Sequence, residues 1–203
     1  TKEHKFLGQN VTVAILDTGI SPHPDFKDRI LSFRDFSSTT GSSEKVLFSF
    51  SHFSPLIDNS GHGTHVAGIL AGSGLLSSGT YAGIAPFCNL IIGKVLDQNG
   101  NGSIKNVING IQWIRDIYTQ FHIRIINISV GTRPDLSIHQ KLLLLNAVES
   151  LWDLGLVVVV SAGNYGPAPG SVTVPGSSPK VITVGVPDTF PLIHTQRHPL
   201  NYS

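Results

Sequence analysis

The chain has 203 residues, of which 40% are hydrophobic and 13% are charged, and its formal net charge is +1. Low charge with ample apolar residues excludes a disordered chain, and the near-neutral balance argues against nucleic acids and membranes as partners. The chain has a single cysteine, Cys88, which excludes an intrachain disulfide framework and a cysteine-rich metal site. Cys88 itself is predicted to be a small buried residue of the core. The longest apolar run, 156–160, is too short to span a bilayer.

Strand patterns alternate with helical patterns along the chain. Short, mostly apolar runs predict strands at 11–16, 89–96, 124–130, 156–162 and 180–186. A small-residue segment at 62–71 predicts a buried helix, Ser103 caps an amphipathic helix that ends near 119, and Ser137 caps another that Gly155 stops. The apolar stripe of this last helix is expected at Leu142, Leu145, Val148 and Leu151.

This alternation predicts an α/β fold with a mainly parallel sheet and helices on both faces. Functional sites in such folds lie at the carboxyl ends of strands. The polar, serine-rich stretch 37–60 is interpreted as an irregular surface loop or insertion. Its part 44–55 has no recognised counterpart and could alter access to a cleft.

Asp17 follows the first predicted strand and precedes Thr18-Gly19. A carboxylate at a strand end, followed by a glycine turn, is well placed to orient another side chain. Taken alone, however, this pattern is better explained by a turn-forming aspartate. Asn164 follows the fourth predicted strand, where its amide can donate into a cleft or simply cap a turn.

His62 opens the small-residue helix, so that its ring is accessible as a general base. A zinc-binding helix would carry histidines at i and i+4 with a glutamate between them, whereas His62 and His65 are three residues apart. We therefore predict one base at His62 and a structural histidine at His65. A metal-dependent hydrolase that uses both histidines is kept as an alternative.

Together these segments resemble the subtilisin-like serine proteases, the subtilases. The matching stretches are VAILDTG at 13–19, GHGTHVAG at 61–68, GIAP at 83–86, NISVG at 127–131 and SAGN at 161–164. They occur in the family's order and extend over nearly the whole chain. The phrases TGISPHPDF, GKVLDQNGNG and VTVPGSSPKVITVGV are similar to the bacterial AprX-like members.

The resemblance implies a serine endopeptidase that acts on polypeptide substrates. Asp17 would orient His62, which would serve as general base and then general acid. Asn164 would donate its amide to the oxyanion of the tetrahedral intermediate. Backbone pairing with an extended substrate is implied at Ser129, Val130 and Gly131, with the opposite side of the groove at Gly100, Asn101 and Gly102.

The family's nucleophile lies on a Gly-Thr-Ser segment, and no Gly-Thr-Ser occurs in these 203 residues. We therefore expect 1–203 to be the amino-terminal portion of one catalytic domain, truncated at its carboxyl end. It would be inactive without a missing carboxyl-terminal part that carries the serine. The alternative is a non-enzymatic pseudoprotease or peptide-binding fragment.

Secreted subtilases bind calcium through an aspartate that matches Asp25 and an asparagine-rich loop. The corresponding loop here, 73–79, contains no acidic or amide side chain, which argues against calcium at this site. Calcium elsewhere in a complete protein stays open, and no other cofactor is expected. The lack of disulfides and of a leader sequence favours the cytoplasm over secretion.

Overall fold

The structure is a computed structural model that describes residues 6–37, the backbone of 44–46, and residues 58–132 and 135–186. The chain divides into two compact units, Thr1–Asn127 and Ile128–Ser203. Within the described ranges, no helix has both the length and the apolar composition needed to cross a bilayer.

The first unit is built on strands in the spatial order β3-β2-β4-β1-β5. β1 and β2 both pair in parallel with β4, and β3 adds an antiparallel edge to β2. The elements in chain order are β1 Thr12–Asp17, a 3₁₀ turn Lys27–Arg29, β2 Ile30–Asp35, β3 Glu44–Val46, α1 His62–Ala71, a 3₁₀ turn Leu75–Ser77, β4 Asn89–Lys94, α2 Ile104–Ile117 and β5 Ile123–Ile128.

Alternate residues of β1 face opposite sides of this sheet, and each side is covered by a helix. Val13 and Ile15 share a core cluster with Ala67 of α1. Leu16 faces the other side, where a Cβ on Gly110 of α2 would lie only 3.2 Å from its methyl carbon. The predicted α/β fold, with a mainly parallel sheet and helices on both faces, is therefore confirmed.

The second unit contains α3 Ile138–Asp153 and two parallel strands, β6 Val157–Ser161 and β7 Ile182–Val184. α3 packs against β6. Ser137 and Gln140 form a capping box at the start of α3, and Gly155 adopts the left-handed conformation just after its end.

The predicted helices are confirmed, including the bounds of α1 and the serine caps of α2 and α3. β2 was missed because Ser32 and Arg34 interrupt its apolar pattern. The prediction of an irregular loop over 37–60 was wrong at Glu44–Val46, which pairs with β2, while 38–43 and 47–57 lie outside the described residues. Cys88 is fully buried, as predicted.

The buried face of α3 begins at a different leucine from the one predicted. Leu142 is 51% exposed, whereas Leu144, Val148 and Leu151 are buried. These three residues are spaced at i, i+4 and i+7, which aligns them on one helical face. The run of four leucines at 142–145 offered several possible phases, and packing against β6 selects this one.

Leu144→Ala is expected to lower the free energy of unfolding by about 2–5 kcal/mol, because it leaves a cavity in the core. Leu142→Ala, on the exposed side of the same helix, should change it by no more than about 0.5 kcal/mol. Urea unfolding of the two variants measures the difference. Equal losses would contradict the assigned face of α3.

Candidate active site

Asp17 and His62 meet at the carboxyl end of β1. Asp17 is the last residue of the strand and its side chain is fully buried, while His62 is the first residue of α1. His62 Nδ1 lies 2.7 Å from Asp17 Oδ1, which also accepts the backbone N–H of Thr18 at 2.6 Å. Because a carboxylate only accepts hydrogen bonds, Nδ1 carries the proton, and Nε2 keeps the lone pair needed by a general base.

The surroundings of His62 favour its protonated form. The hydrogen bond to Asp17 raises the pKa of His62 above its ordinary value; partial burial opposes this, and the negative charges of Asp17 and Asp58 add to the increase. The His62 side chain is still 24% exposed, so the ring remains accessible. It can therefore both accept a proton and hold the resulting charge.

Glycine at position 63 permits the close approach of α1 to the turn after β1. A Cβ on Gly63 would lie 2.3 Å from the carbonyl oxygen of Gly19 and 3.2 Å from Cβ of Asp17. The backbone N–H of Gly63 donates instead to Thr18 Oγ1 at 2.9 Å. Gly61 precedes the helix with a φ of 84°, in the left-handed region that favours glycine. Both glycines that flank His62 are thus required by local geometry.

Asp58 was missed by the sequence analysis, although its carboxylate organises the start of α1. It accepts hydrogen bonds from Gly61 N at 2.9 Å, Thr64 N at 2.8 Å and Thr64 Oγ1 at 2.6 Å. Thr18 Oγ1 donates to it at 2.8 Å. An aspartate just before a helix is a known capping signal, but Asp58 precedes the first helical residue by four positions, which hid its role.

Lys94 is a second residue that the sequence analysis missed. It ends β4 opposite Asp17 and is only 6% exposed. Its ammonium donates to the carbonyl oxygens of Thr18 and Leu96. It therefore holds the backbone just after Asp17. It was overlooked because a lysine at a strand end usually reaches solvent.

The predicted groove residues of the first unit lie in an exposed loop after β4. Gly100, Asn101 and Gly102 are exposed, and Gly100 has a φ of 74°. Asp97 Oδ1 holds the loop by accepting the backbone N–H groups of Asn99 at 2.8 Å and Asn101 at 2.9 Å. The loop is thus ordered by its own residues, and its role toward a substrate stays a prediction.

The second unit brings the other predicted residues together. A Cβ on Gly131 would lie 3.3 Å from Cα of Gly163, so the stretch 129–131 runs beside the segment that carries Asn164. Asn164 is exposed, two residues beyond Ala162, whose backbone bonds to Val184. Ser129 is partly buried and Val130 is buried. The oxyanion role of Asn164 stays a prediction.

His65 does not lie where a structural histidine was expected. It is exposed, whereas Gly63, Ala67 and Ala71 form the buried face of α1. Residue 65 lies two positions from that stripe, and two positions rotate a helix by about 200°. Within the described residues, no group of three His, Cys, Asp or Glu side chains is placed to hold a metal ion.

The loop after α1 presents N–H groups to Asp25. The two carboxylate oxygens accept the backbone N–H of Gly74 at 2.9 Å and of Leu76 at 3.3 Å. The guanidinium of Arg29 donates to the carbonyl oxygens of Asp25 and Ala71. Hydrogen bonds within the protein thus hold this loop in place.

A buried aspartate that orients a histidine at the carboxyl edge of a parallel α/β sheet is an arrangement suited to acid–base chemistry. A model of the subtilase family of peptidases matches residues 8–197. The chain belongs to the subtilase family.

Several serine proteases are similar to this chain. Serine protease AprX of Bacillus subtilis is 43% identical over 186 residues, which are 89% of this chain and 39% of that protein. Subtilisin E of the same organism is 38% identical over 183 residues, or 89% of this chain and 42% of that one. This chain thus spans about two fifths of the length of these relatives.

Solved structures share the fold. Sphericase superimposes with a TM-score of 0.73 at 29% identity, over 87% of this chain and 53% of that structure. A psychrophilic protease, S41, gives a TM-score of 0.71 at 31% identity with the same coverage of both chains.

Gly63→Ala is expected to lower the free energy of unfolding by about 1–3 kcal/mol, because the new methyl group must displace the Gly19 backbone. Gly68→Ala is the matched control, since no atom of another segment lies within 4 Å of the position of its Cβ. That variant should be about 0.5–1 kcal/mol more stable, as expected for a helix interior. Urea unfolding of both variants provides the test, and a neutral Gly63→Ala would contradict the close approach.

Proposed function

We propose that this chain supplies the acid–base machinery of a subtilisin-like serine endopeptidase whose complete polypeptide hydrolyses peptide bonds. The observation that carries the proposal is the 2.7 Å contact between His62 Nδ1 and the buried Asp17 carboxylate. The family and the names of the similar proteins support the same chemistry.

In the proposed reaction, His62 Nε2 accepts the hydroxyl proton of a serine as its oxygen attacks the scissile carbonyl carbon. Asp17 stabilises the imidazolium that forms. His62 then gives the proton to the leaving amine nitrogen as the peptide bond breaks. A water molecule then attacks the acyl-enzyme while the same ring accepts its proton, and the ring returns that proton to the serine oxygen as the ester bond breaks.

Asn164 is proposed to donate its side-chain N–H to the oxyanion of the tetrahedral intermediate. The amide is exposed, which leaves it available to a substrate. The stretch 129–131 is proposed to pair with the substrate backbone beside it, and 100–102 to form the other side of the groove. Exposed backbone at Gly131 and Gly100 supports this assignment, because backbone pairing needs unobstructed N–H and C=O groups.

The 203 residues contain no Gly-Thr-Ser, so the nucleophile is proposed to come from a further part of the polypeptide. The chain by itself is then expected to be inactive. A polypeptide that retains the Asp17–His62 pair but has no such serine would instead be a pseudoprotease that binds peptides. The residue after Gly-Thr in the remaining sequence separates these two functions.

We further propose that the Asp25 loop is held without calcium. The donor set does not fit this ion, because calcium takes six to eight oxygen ligands while the loop points N–H groups at the carboxylate. The side chains of 73–79 add only serine hydroxyls. Hydrogen bonds to Asp25 and from Arg29 hold the loop in place without an ion.

In the complete polypeptide, His62→Ala should abolish turnover of a chromogenic peptide, because no base remains to activate the serine. Asp17→Asn should lower kcat by about 10⁴, as the same change does in another Ser-His-Asp protease. Asn164→Ala should lower kcat by about 10² to 10³ with little change in KM, the magnitude known for a subtilisin oxyanion donor. Steady-state kinetics measures all three variants.

His65→Ala is the matched control, because it removes the other histidine of α1 while sparing the Asp17–His62 pair. Its kcat per folded molecule should equal that of the unchanged protein. Equal losses in His65→Ala and His62→Ala would contradict the single base and favour the metal-dependent alternative. A fluorophosphonate is expected to label the complete polypeptide at a serine outside residues 1–203. A labelled serine within 1–203 would contradict the proposal.

Asp25→Asn should lower the free energy of unfolding by about 1–3 kcal/mol, because it disrupts the acceptor of two loop N–H groups. Asp28→Asn, at an exposed position, should have little effect. A chelator should leave the melting temperature of the unchanged chain as it is. A rise in that temperature on adding calcium, lost in Asp25→Asn, would show that the site binds the ion after all.

A further inference from the structure

The two residues that flank His62 are each tied to one polar network. The N–H of Gly61, before the histidine, donates to Asp58 Oδ1 at 2.9 Å, and the N–H of Gly63, after it, donates to Thr18 Oγ1 at 2.9 Å. Thr18 Oγ1 in turn donates to Asp58 Oδ1 at 2.8 Å. Because Thr18 directly follows Asp17, the network fixes the backbone of the base relative to its acid.

Asp58 is the centre of this network. Its carboxylate accepts five hydrogen bonds from the described residues, three of them at Oδ1 and two at Oδ2. The side chain is nearly buried, with 9% of the residue exposed. Burial raises the pKa of this carboxyl, but the hydrogen bonds from Thr64, Thr18 and Gly61 together outweigh it and hold the pKa below its ordinary value. Asp58 therefore remains a carboxylate at neutral pH.

We infer that Asp58 is a positioning residue for the general base, which it serves both by tying α1 to the end of β1 and by placing a second fixed negative charge at the start of the helix. This inference rests on the proposed function. Asp58 touches neither substrate nor reacting atoms, and it acts through His62. Its charge favours the imidazolium that forms when His62 takes the serine proton, so its contribution is realised in the transition state.

The charged groups around His62 fit this assignment. Asp17 at the end of β1 and Asp58 before α1 are the carboxylates whose charges raise the pKa of His62. Lys94, which lies opposite Asp17 in the sheet, directs its ammonium to the carbonyls of Thr18 and Leu96. α1 itself carries no acidic residue in its first turn. Removing the Asp58 charge should therefore lower the pKa of His62.

The test compares Asp58→Asn with the unchanged 203-residue chain by NMR titration of the His62 ring, whose signals are assigned by their loss in His62→Ala. The titration midpoint of His62 is expected to shift to lower pH, because the neutral amide no longer favours the imidazolium. Asp25→Asn is the matched control. It also removes a carboxylate that accepts backbone N–H groups, but at the loop beyond the far end of α1, and it should leave the midpoint in place.

A purely structural role gives a different result. If Asp58 only caps the helix, Asp58→Asn and Asp25→Asn both lose stability while the His62 midpoint stays unchanged, and the inference is overturned. Should Asp58→Asn not fold, Asp58→Ser replaces it, since serine also removes the charge and keeps a hydroxyl that can accept hydrogen bonds. An unchanged midpoint in that variant overturns the inference equally.

In the complete polypeptide, the acid limb of the kcat/KM profile should move to lower pH in Asp58→Asn, following the base. No hydrolysis by the unchanged polypeptide would overturn the proposed function, yet the NMR titration would still decide whether Asp58 acts on His62. Hydrolysis with an acid limb that stays in place would overturn only the inference. The two failures are therefore distinguishable.

Discussion

The close approach of α1 to the turn after β1 is the constraint on which the site depends. At Gly63 even a methyl group would come within 2.3 Å of the Gly19 carbonyl oxygen, so the first turn of the helix lies directly against the strand end. This contact lets the His62 ring reach Asp17, although the two residues are 45 positions apart in sequence. The left-handed conformation of Gly61 and the missing Cβ of Gly63 thus allow the contact between His62 and Asp17.

Bringing the helix this close also buries charge, and the surrounding polar groups compensate for it. Asp17 is fully buried, and within the described part of the chain its Oδ2 has no hydrogen-bond partner. A buried carboxylate of this kind favours a cation beside it, which is what His62 becomes when it accepts a proton. Asp58 and Lys94 satisfy the backbone groups that the crossing would leave unpaired. The hydrogen bonds that stabilise the fold therefore also hold His62 next to Asp17.

In the second unit, glycine also permits close contacts, here beside the predicted site residue Asn164. Gly163 has a φ of 90°, and a Cβ there would lie 2.5 Å from Thr173 Oγ1. Thr132 Oγ1 donates to the Val174 carbonyl at 2.7 Å, which anchors the chain just after Gly131. Gly131 and Asn164 are both exposed in this arrangement.

The sequence by itself determined the α/β class and the helix bounds, because these follow from local periodicity and caps, and its resemblance to the subtilases implied the pair Asp17–His62. It missed β2, whose polar residues depend on neighbouring strands, and it misplaced the buried face of α3 within a run of four leucines. It also misjudged His65, whose exposure depends on which side of α1 meets the sheet. Asp58 and Lys94 could be identified only in three dimensions, because their partners lie up to 76 residues away and no local pattern marks such contacts. Short segments of sequence therefore reveal the helices, the strands and the motif residues. The residues that hold a site in place depend on which segments the tertiary structure brings together.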